Sequence, residues 1–231
     1  MRLPELSIIV PAFNEEATIE AAIDRALSVQ LPVADREVVV VENGSRDRTR
    51  EVLRSREWPD QVRVVEVDSN RGKGGAVRLG AEHASGRYLA ILDADLEYDP
   101  QDLARMLPSV QDGGMDAVFG TRAWQAHSAF SFWYVVGTRT INLVANVLYN
   151  VWLSDCMAGL KLMPLELFRS LPLREDGFAF EAEVVARLLR HGARIYEVPI
   201  TYQARRREEG KKLYARHGWW LLLTFLRCRF G

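Results

Sequence analysis

The 231-residue chain has only two cysteines, Cys156 and Cys228, and no C-x-x-C pattern. A disulfide framework and thiol-redox chemistry are both excluded, and a reducing compartment is expected. Sixteen glycines and nine prolines are too few for a fibrous or low-complexity protein. The start, MRLPELSIIVPAFNEE, lacks a basic stretch followed by a long apolar run and a small-residue cleavage site, so export is not expected. No uninterrupted apolar run is long enough to span a bilayer. The four histidines, His83, His127, His191 and His217, lack metal-ligand spacing, which speaks against zinc, and no Ser/His/Asp order suggests a hydrolase. The absence of G-x-G-x-x-G after the first apolar run argues against a dinucleotide enzyme. A nucleotidyltransferase would carry a glycine-rich basic loop there, where this chain has Asn14, Glu15 and Glu16.

With 48% hydrophobic and 26% charged residues, the chain has the composition of one globular domain. Its net charge of −1 hides an asymmetry. Residues 187–231 carry eleven Lys/Arg against three Asp/Glu, and residues 1–186 carry nineteen against twenty-eight. A basic end on an acidic body points to phosphates, on a small substrate or on an anionic membrane surface, with nucleic acid not the expected partner.

Short β-rich runs at 6–12, 37–41, 62–67, 88–92 and 116–119 alternate with helical stretches near 15–29, 46–57, 74–85 and 100–111. Continuous apolar strands separated by helices predict an α/β fold with a mostly parallel sheet covered on both faces. In such sheets ligands sit outside the carboxyl ends of the strands. The four loops there are Pro11-Ala12-Phe13-Asn14-Glu15-Glu16, Glu42-Asn43-Gly44-Ser45, Asn70-Arg71-Gly72-Lys73-Gly74-Gly75 and Asp93-Ala94-Asp95. Gly72 to Gly75 either bring helix-opening N–H groups close to an anion or simply let a tight turn pack on the sheet. No Gly-Lys-Ser/Thr gives them P-loop spacing.

The sharpest chemical feature is Leu92-Asp93-Ala94-Asp95-Leu96-Glu97. Positions i, i+2 and i+4 of an extended chain share a side, so Asp93, Asp95 and Glu97 are expected to converge. Three carboxylates repel unless a cation neutralises them, and hard oxygens suit Mg²⁺ or Mn²⁺ completed by a substrate diphosphate. The plainer alternative makes Asp93 and Asp95 capping acids for the helix at 100–111.

Together PAFNEE, VENGS, NRGKGGAVRLG, LDADLEYDP, GTR at 120–122, DCMAGLK at 155–161, FEAEVVARLLRHG at 180–192 and EVPI at 197–200 resemble, in order and over nearly the whole chain, an inverting family 2 glycosyltransferase of GT-A fold. Within that family the resemblance is to the polyprenyl-phosphate (dolichol-phosphate) mannose or glucose synthases. It implies a single GT-A catalytic domain over 1–231, with a nucleotide-sugar half at 1–122 and an acceptor half at 123–231. The implied reaction is a metal-dependent transfer of mannose or glucose, with inversion, from GDP-mannose or UDP-glucose to a polyprenyl phosphate at the cytoplasmic membrane face. The donor nucleotide would be held by Pro11, Ala12, Asn14, Glu15, Glu42, Gly44, Lys73, Asp93, Ala94 and Asp95, with the metal at Asp93, Asp95 and Glu97. Glu97 stands where the family often has Gln. The family usually reads Asp-Asp-Gly-Ser after strand two, and the longer Glu42 leaves uracil and guanine both open.

An acceptor phosphate is already an oxyanion near pH 7 and needs no base before attack, so the task is to hold two anions close together. Arginines suit this because they grip phosphate in bidentate fashion and stay charged. Arg122 is the first candidate, then Arg139 and Asn142, with Arg207 and Lys211 in the Arg205–Lys212 stretch. Asp155, in the element beside the donor sugar, is either catalytic or a capping and salt-bridging group, and Glu181 and Glu183 lie on the following helix. Were the acceptor a hydroxyl instead, Asp155 would be the first candidate base. A third reading is a non-catalytic nucleotide-sugar-binding module at a membrane.

Segment 130–153 places Thr138, Asn142, Asn146 and Asn150 on one helix face, and 213–230 mixes Trp219, Trp220, Leu221, Leu222, Leu223, Phe225 and Leu226 with Arg216, Arg227 and Arg229. Both are candidate interfacial helices, lying on the membrane or docking on the core or a dimer partner. The protein would then be cytoplasmic and peripheral, or tethered by a separate subunit.

Overall fold

A computed structural model describes residues 4–122, 132–203 and 216–231. The described residues contain a sheet of seven strands: β1 (Leu6–Ala12), β2 (Arg36–Asn43), β3 (Val62–Val67), β4 (Tyr88–Ile91), β5 (Ala117–Thr121), β6 (Lys161–Pro164) and β7 (Ile195–Pro199). Their order is β3-β2-β1-β4-β6-β5-β7. All neighbours are parallel except that β6 runs antiparallel to both β4 and β5. The expected α/β class with a mostly parallel sheet holds.

The strands form where β-branched residues run together, and burial on both faces replaces simple polar alternation. Along β1 and β2, Ile8, Val10, Val38 and Val40 face one core while Ile9 and Val39 face the other. The first core is closed by α1 (Ile19–Ser28) and α4 (Leu103–Gln111). The second is closed by α3 (Gly72–His83), α5 (Phe132–Tyr149), α6 (Leu165–Ser170), α7 (Ala179–Arg190) and α8 (Arg216–Phe230). The short α2 (Thr49–Arg54) follows β2. Gly80 lets α3 lie directly on β1, since a Cβ there would stand 2.5 Å from Ile9 Cγ2.

Several boundaries differ from the periodicity. The stretch 46–57 keeps only the short α2. The stretch 100–111 opens with a 3₁₀ turn, Pro100–Asp102, whose cap is Asp99 accepting the Gln101 N–H at 2.9 Å. The capping role that might have fallen to Asp93 and Asp95 is therefore filled by Asp99. Two strands escaped the periodicity: β6 has four residues and β7 five, too short for an apolar pattern to stand out.

The chain adds β2 and β3 on one side of β1, then crosses to place β4 on the other. The β1/β4 junction is thus the topological switch point, where a crevice opens outside the carboxyl ends of the strands. Leu92 N–H donates to Ile9 O at 3.0 Å across this junction, so the Asp93 loop rises beside the β1 loop.

Candidate active site

On the side of β1 and β2 the two loops are stitched together by side chain to backbone hydrogen bonds. Asn14, in the left-handed region at φ 56°, accepts the Arg46 N–H on Oδ1 at 2.8 Å and donates its own N–H to Ser45 Oγ at 3.1 Å. Glu15 N–H donates to Thr49 Oγ1 at 2.8 Å. Glu42 is fully buried: it accepts the Ser45 N–H at 2.6 Å, and its other oxygen takes Arg50 Nε at 2.8 Å. Expected to read the base, Glu42 is thus engaged in shaping the loop. Ala12 pairs in register with Glu42, and Pro11 with Val41. Gly44 sits at φ 67°, where a Cβ would lie 2.6 Å from the Ser69 carbonyl carbon, so the β2 loop can pass the β3 loop only as glycine.

The N-terminus of α3 is already occupied. Gly72 N–H donates to Asn70 Oδ1 at 2.6 Å, and Gly74 N–H to Asp176 O at 2.7 Å. A Cβ on Gly74 would stand 2.1 Å from Glu175 O. Of the two roles open to Gly72 to Gly75, close packing is the one these contacts serve. Glu183 holds the packed segment by accepting the Arg174 and Glu175 N–H groups at 2.8 and 2.7 Å.

The acidic loop departs from the expected convergence. β4 ends at Ile91, and Leu96 turns left-handed at φ 62°, so the alternation of an extended strand does not extend to Asp93, Asp95 and Glu97. Both Asp93 oxygens meet Lys73 Nζ, at 2.7 and 2.9 Å. Half-buried Asp95 accepts the Glu97 N–H at 3.1 Å. Glu97 Oε2 accepts the Tyr202 hydroxyl at 2.6 Å. Among the described residues no three His, Cys, Asp or Glu side chains are grouped to hold a metal.

Lys73 also meets Glu181 Oε1 at 2.8 Å, and the second Glu181 oxygen takes the ammonium of fully buried Lys161. Lys161 reaches Ala158 O and lies 5.1 Å from the Phe119 ring centroid. Burial alone would lower the Lys73 pKa, but Asp93 and Glu181 outweigh it and push it up. Burial would raise that of Glu181, yet Lys161 and Lys73 hold it below the usual carboxylate range. The result is a chain of alternating charge running from β6 to the acidic loop.

Beside it, Arg122 and Asp155 form a bidentate pair, Nε to Oδ2 at 2.6 Å and the second nitrogen to Oδ1 at 2.8 Å. Arg122 lies 5.1 Å from the centroid of the Tyr202 ring, which stacks at a tilt on Tyr98 with centroids 5.4 Å apart. Tyr98 OH accepts the Gly159 N–H at 2.9 Å, joining this cluster to the Lys73–Asp93 pair, against which Gly159 packs. Burial, followed by the hydrogen bond to Glu97, pushes the Tyr202 phenol well up, so it donates as the neutral form.

The loop that carries Asp155 is held from two sides. Glu197 on β7 accepts the Ser154 and Asp155 N–H groups at 2.8 and 2.9 Å. Asn142 donates to Ser154 O at 2.8 Å and accepts the Cys156 N–H at 3.1 Å. Asn142, expected to face an acceptor phosphate, instead has its amide committed to this loop, and Asn146 likewise bonds Leu153. Within the polar stripe Asn142 and Asn146 therefore turn toward the 153–156 loop, whereas Asn150 lies past the end of α5 and is exposed, as are Leu143 and Val147. Arg139 is exposed on α5. Arg207 and Lys211 lie outside the described residues. Buried Cys156, its thiol pushed up by burial, is no nucleophile.

Tyr98, Tyr202, Arg50, Glu197 and Lys161 took no part in the expected site. Two of them carried a signal: a lysine inside the apolar GLKLM, and a glutamate beginning EVPI, are charges where a strand buries its side chains.

Residues 7–171 match the model described as Glycosyl transferase family 2. The chain belongs to this family. With that membership comes the enzyme class expected from the sequence, a glycosyltransferase. The family 2 chain is 35% identical over 208 residues to dolichyl-phosphate beta-glucosyltransferase of Drosophila melanogaster, covering 78% of this chain and 61% of that protein. It is 27% identical to dodecaprenyl-phosphate galacturonate synthase of Rhizobium johnstonii, covering 91% of this chain and 62% of the relative. The chain thus spans about three fifths of the length of these relatives. Glucosyl-3-phosphoglycerate synthase from Mycobacterium tuberculosis, crystallised with Mn²⁺, UDP and glucosyl-3-phosphoglycerate, superposes with a TM-score of 0.73 at 21% identity, over 98% of this chain and 80% of that one. The shared fold is GT-A.

Proposed function

We propose that this family 2 domain transfers mannose or glucose, with inversion, from GDP-mannose or UDP-glucose to a polyprenyl phosphate. The observation that carries this reading is the bidentate Arg122–Asp155 pair. A hydroxyl acceptor needs a free base, and the candidate base Asp155 has both oxygens on Arg122. A phosphate acceptor needs none, and needs cations. Arg139, Arg207 and Lys211 supply them in this proposal, joined by Arg122 where the phosphate takes the place of Asp155 on it, and the names of the two relatives support a polyprenyl-type acceptor.

In this proposal one hard divalent cation, Mg²⁺ or Mn²⁺, would be held at the acidic loop by Asp93, Asp95 and Glu97, whose hard carboxylate oxygens suit such an ion although the described residues do not group them around one point. It would have to draw Asp93 from Lys73 and Glu97 from Tyr202. When bound, such an ion offsets the charge of the leaving diphosphate. Lys73 meets the diphosphate from the other side, while Pro11, Ala12, Asn14, Glu15, Glu42, Gly44 and Ala94 shape the nucleotide cleft. In this reading residues 1–122 form the donor half and 123–231 the acceptor half of one catalytic domain.

We also assign the α5–α8 face to a membrane surface on the cytoplasmic side. Tyr149 OH donates to Phe225 O at 3.0 Å, joining the two helices, and Trp152, Trp219, Trp220 and Phe230 are exposed around them, between 63% and 82%. Exposed aromatic side chains on helices that also carry Arg139 and Arg229, the latter 5.9 Å from the Tyr149 ring centroid, suit the headgroup layer. No helix among the described residues is long and apolar enough to cross a membrane. An anchoring subunit or a second copy of the chain would compete for the same face.

The test is a radiolabelled-donor assay offering UDP-glucose and GDP-mannose, with Mn²⁺ or EDTA, against a polyprenyl phosphate and against soluble saccharides. Transfer of one sugar to the lipid phosphate alone, dependent on Mn²⁺, is expected. Transfer to saccharides with none to lipid would replace this reading with the hydroxyl-acceptor one, and binding without turnover would leave a non-catalytic module.

A further inference from the structure

Lys73 joins the acidic loop to the interior. Its ammonium is hydrogen-bonded to Asp93, 21% exposed at the side chain, and ion-paired at 2.8 Å with Glu181, 6% exposed. A lysine stem is flexible, and a single half-exposed carboxylate would leave the ammonium free to follow Asp93. Glu181 removes that freedom. It is fixed on α7 and locked by Lys161, which is wholly buried on β6 and needs Glu181 as its counter-charge.

We infer that Glu181 is a positioning residue: anchored on Lys161, it holds Lys73 at the crevice so that a donor diphosphate oxygen can replace one Asp93 oxygen on the ammonium without moving it. This rests on the reading of the crevice as a nucleoside-diphosphate-sugar site. The role is unlike that of a generic core ion pair. Two lysines share one buried carboxylate, and only the outer one, 17% exposed, can be reached from the crevice. Gly159 supplies the floor: a Cβ there would stand 2.5 Å from Asp93 Oδ2 and 3.1 Å from Lys73 Nζ, so the pair lies against bare backbone. The arrangement gives the diphosphate a fixed positive charge that does not depend on a divalent ion.

The test is calorimetric titration of UDP and GDP into the full chain, in EDTA and in Mn²⁺, with thermal melting of each variant. Lys161→Met/Glu181→Leu replaces the inner pair by apolar side chains of similar volume, an exchange that buried ion pairs tolerate. It is expected to melt near the wild type yet lose about tenfold in diphosphate affinity, in EDTA as well as in Mn²⁺. Lys73→Ala should lose as much by itself and nothing further in the double-variant background. Glu181→Asp keeps the charge that Lys161 needs but withdraws the carboxylate from Lys73. It should weaken binding with its melting intact, and it decides the matter alone if the double variant unfolds. A folded variant that binds as tightly as the wild type, or a Lys73→Ala loss that simply adds, overturns the inference while leaving the donor site standing. Failure of the wild-type chain to bind either nucleotide removes the donor reading, and the inference with it.

Discussion

The acidic crevice and the α5–α8 face resolve opposite problems of solvation. In the crevice, charges are withdrawn from water in pairs: Asp93 with Lys73, Glu181 with two lysines, Asp155 with Arg122, Glu42 with Arg50. On the helical face, apolar side chains stand in water, Trp152 at 82% and Phe230 at 78% exposed. Buried charge is costly unless paired, and exposed aromatic clusters mark contact surfaces. The first region thus holds its charges in pairs, while the second leaves apolar side chains in water, the surface that the proposed reading gives to a membrane.

The contrast can be broken most severely at Asp95. Asp95→Asn is expected to lower transfer about a thousandfold, the several kcal/mol that charge neutralisation of a leaving diphosphate supplies, with little change in melting. A native rate in the radiolabelled assay would remove the metal assignment. Next comes Lys161→Met alone, which strands Glu181 with only Lys73 opposite it and should cost about 3 kcal/mol in urea unfolding. A loss as small as that of a surface pair would mean that the interior is less dry than the burial of Lys161 implies.

A smaller effect is expected on the helical face. Trp152→Ser, Trp219→Ser and Trp220→Ser combined should reduce sedimentation with anionic vesicles about tenfold. Donor binding in solution should stay as it is, because none of the three touches the crevice residues. Unchanged vesicle binding, together with altered self-association, would hand the face to a second copy of the chain.

The mildest prediction concerns pH. The folded-state pKa of Glu181 lies below its ordinary 4.5. Its contribution to stability is thus complete above that value and is lost as pH falls through the lower folded-state pKa. Melting followed from pH 6 to about pH 2 should therefore fall less steeply for Lys161→Met/Glu181→Leu than for the wild type. Parallel curves would show that Glu181 keeps an ordinary affinity for protons.

Much of the fold was legible because strand and helix repeat with different periods. The runs at 6–12 and 62–67 became β1 and β3 residue for residue, since an apolar β-branched run has few other places to go. β6 stayed hidden because its four residues include a charge, Lys161, that only becomes tolerable once Glu181 arrives from α7. The expected site fared in the same way. Asp93, Asp95 and Lys73 were read from loops after strands, where the structure also places them, but the convergence of Glu97 presumed an extended chain that the left-handed Leu96 interrupts. Asn142 was placed on the correct helix face, yet that face turned inward to Ser154 and Cys156.

The sequence by itself determined the α/β class, the acidic loop beyond the fourth strand and the family, because these depend on local period and on residues adjacent in the chain. Tertiary structure alone decided which charges cancel. The Lys73–Asp93 and Arg122–Asp155 pairs join residues 20 and 33 positions apart. Electrostatic energy depends on distance in space and on exclusion of water, and neither is written in the order of the residues.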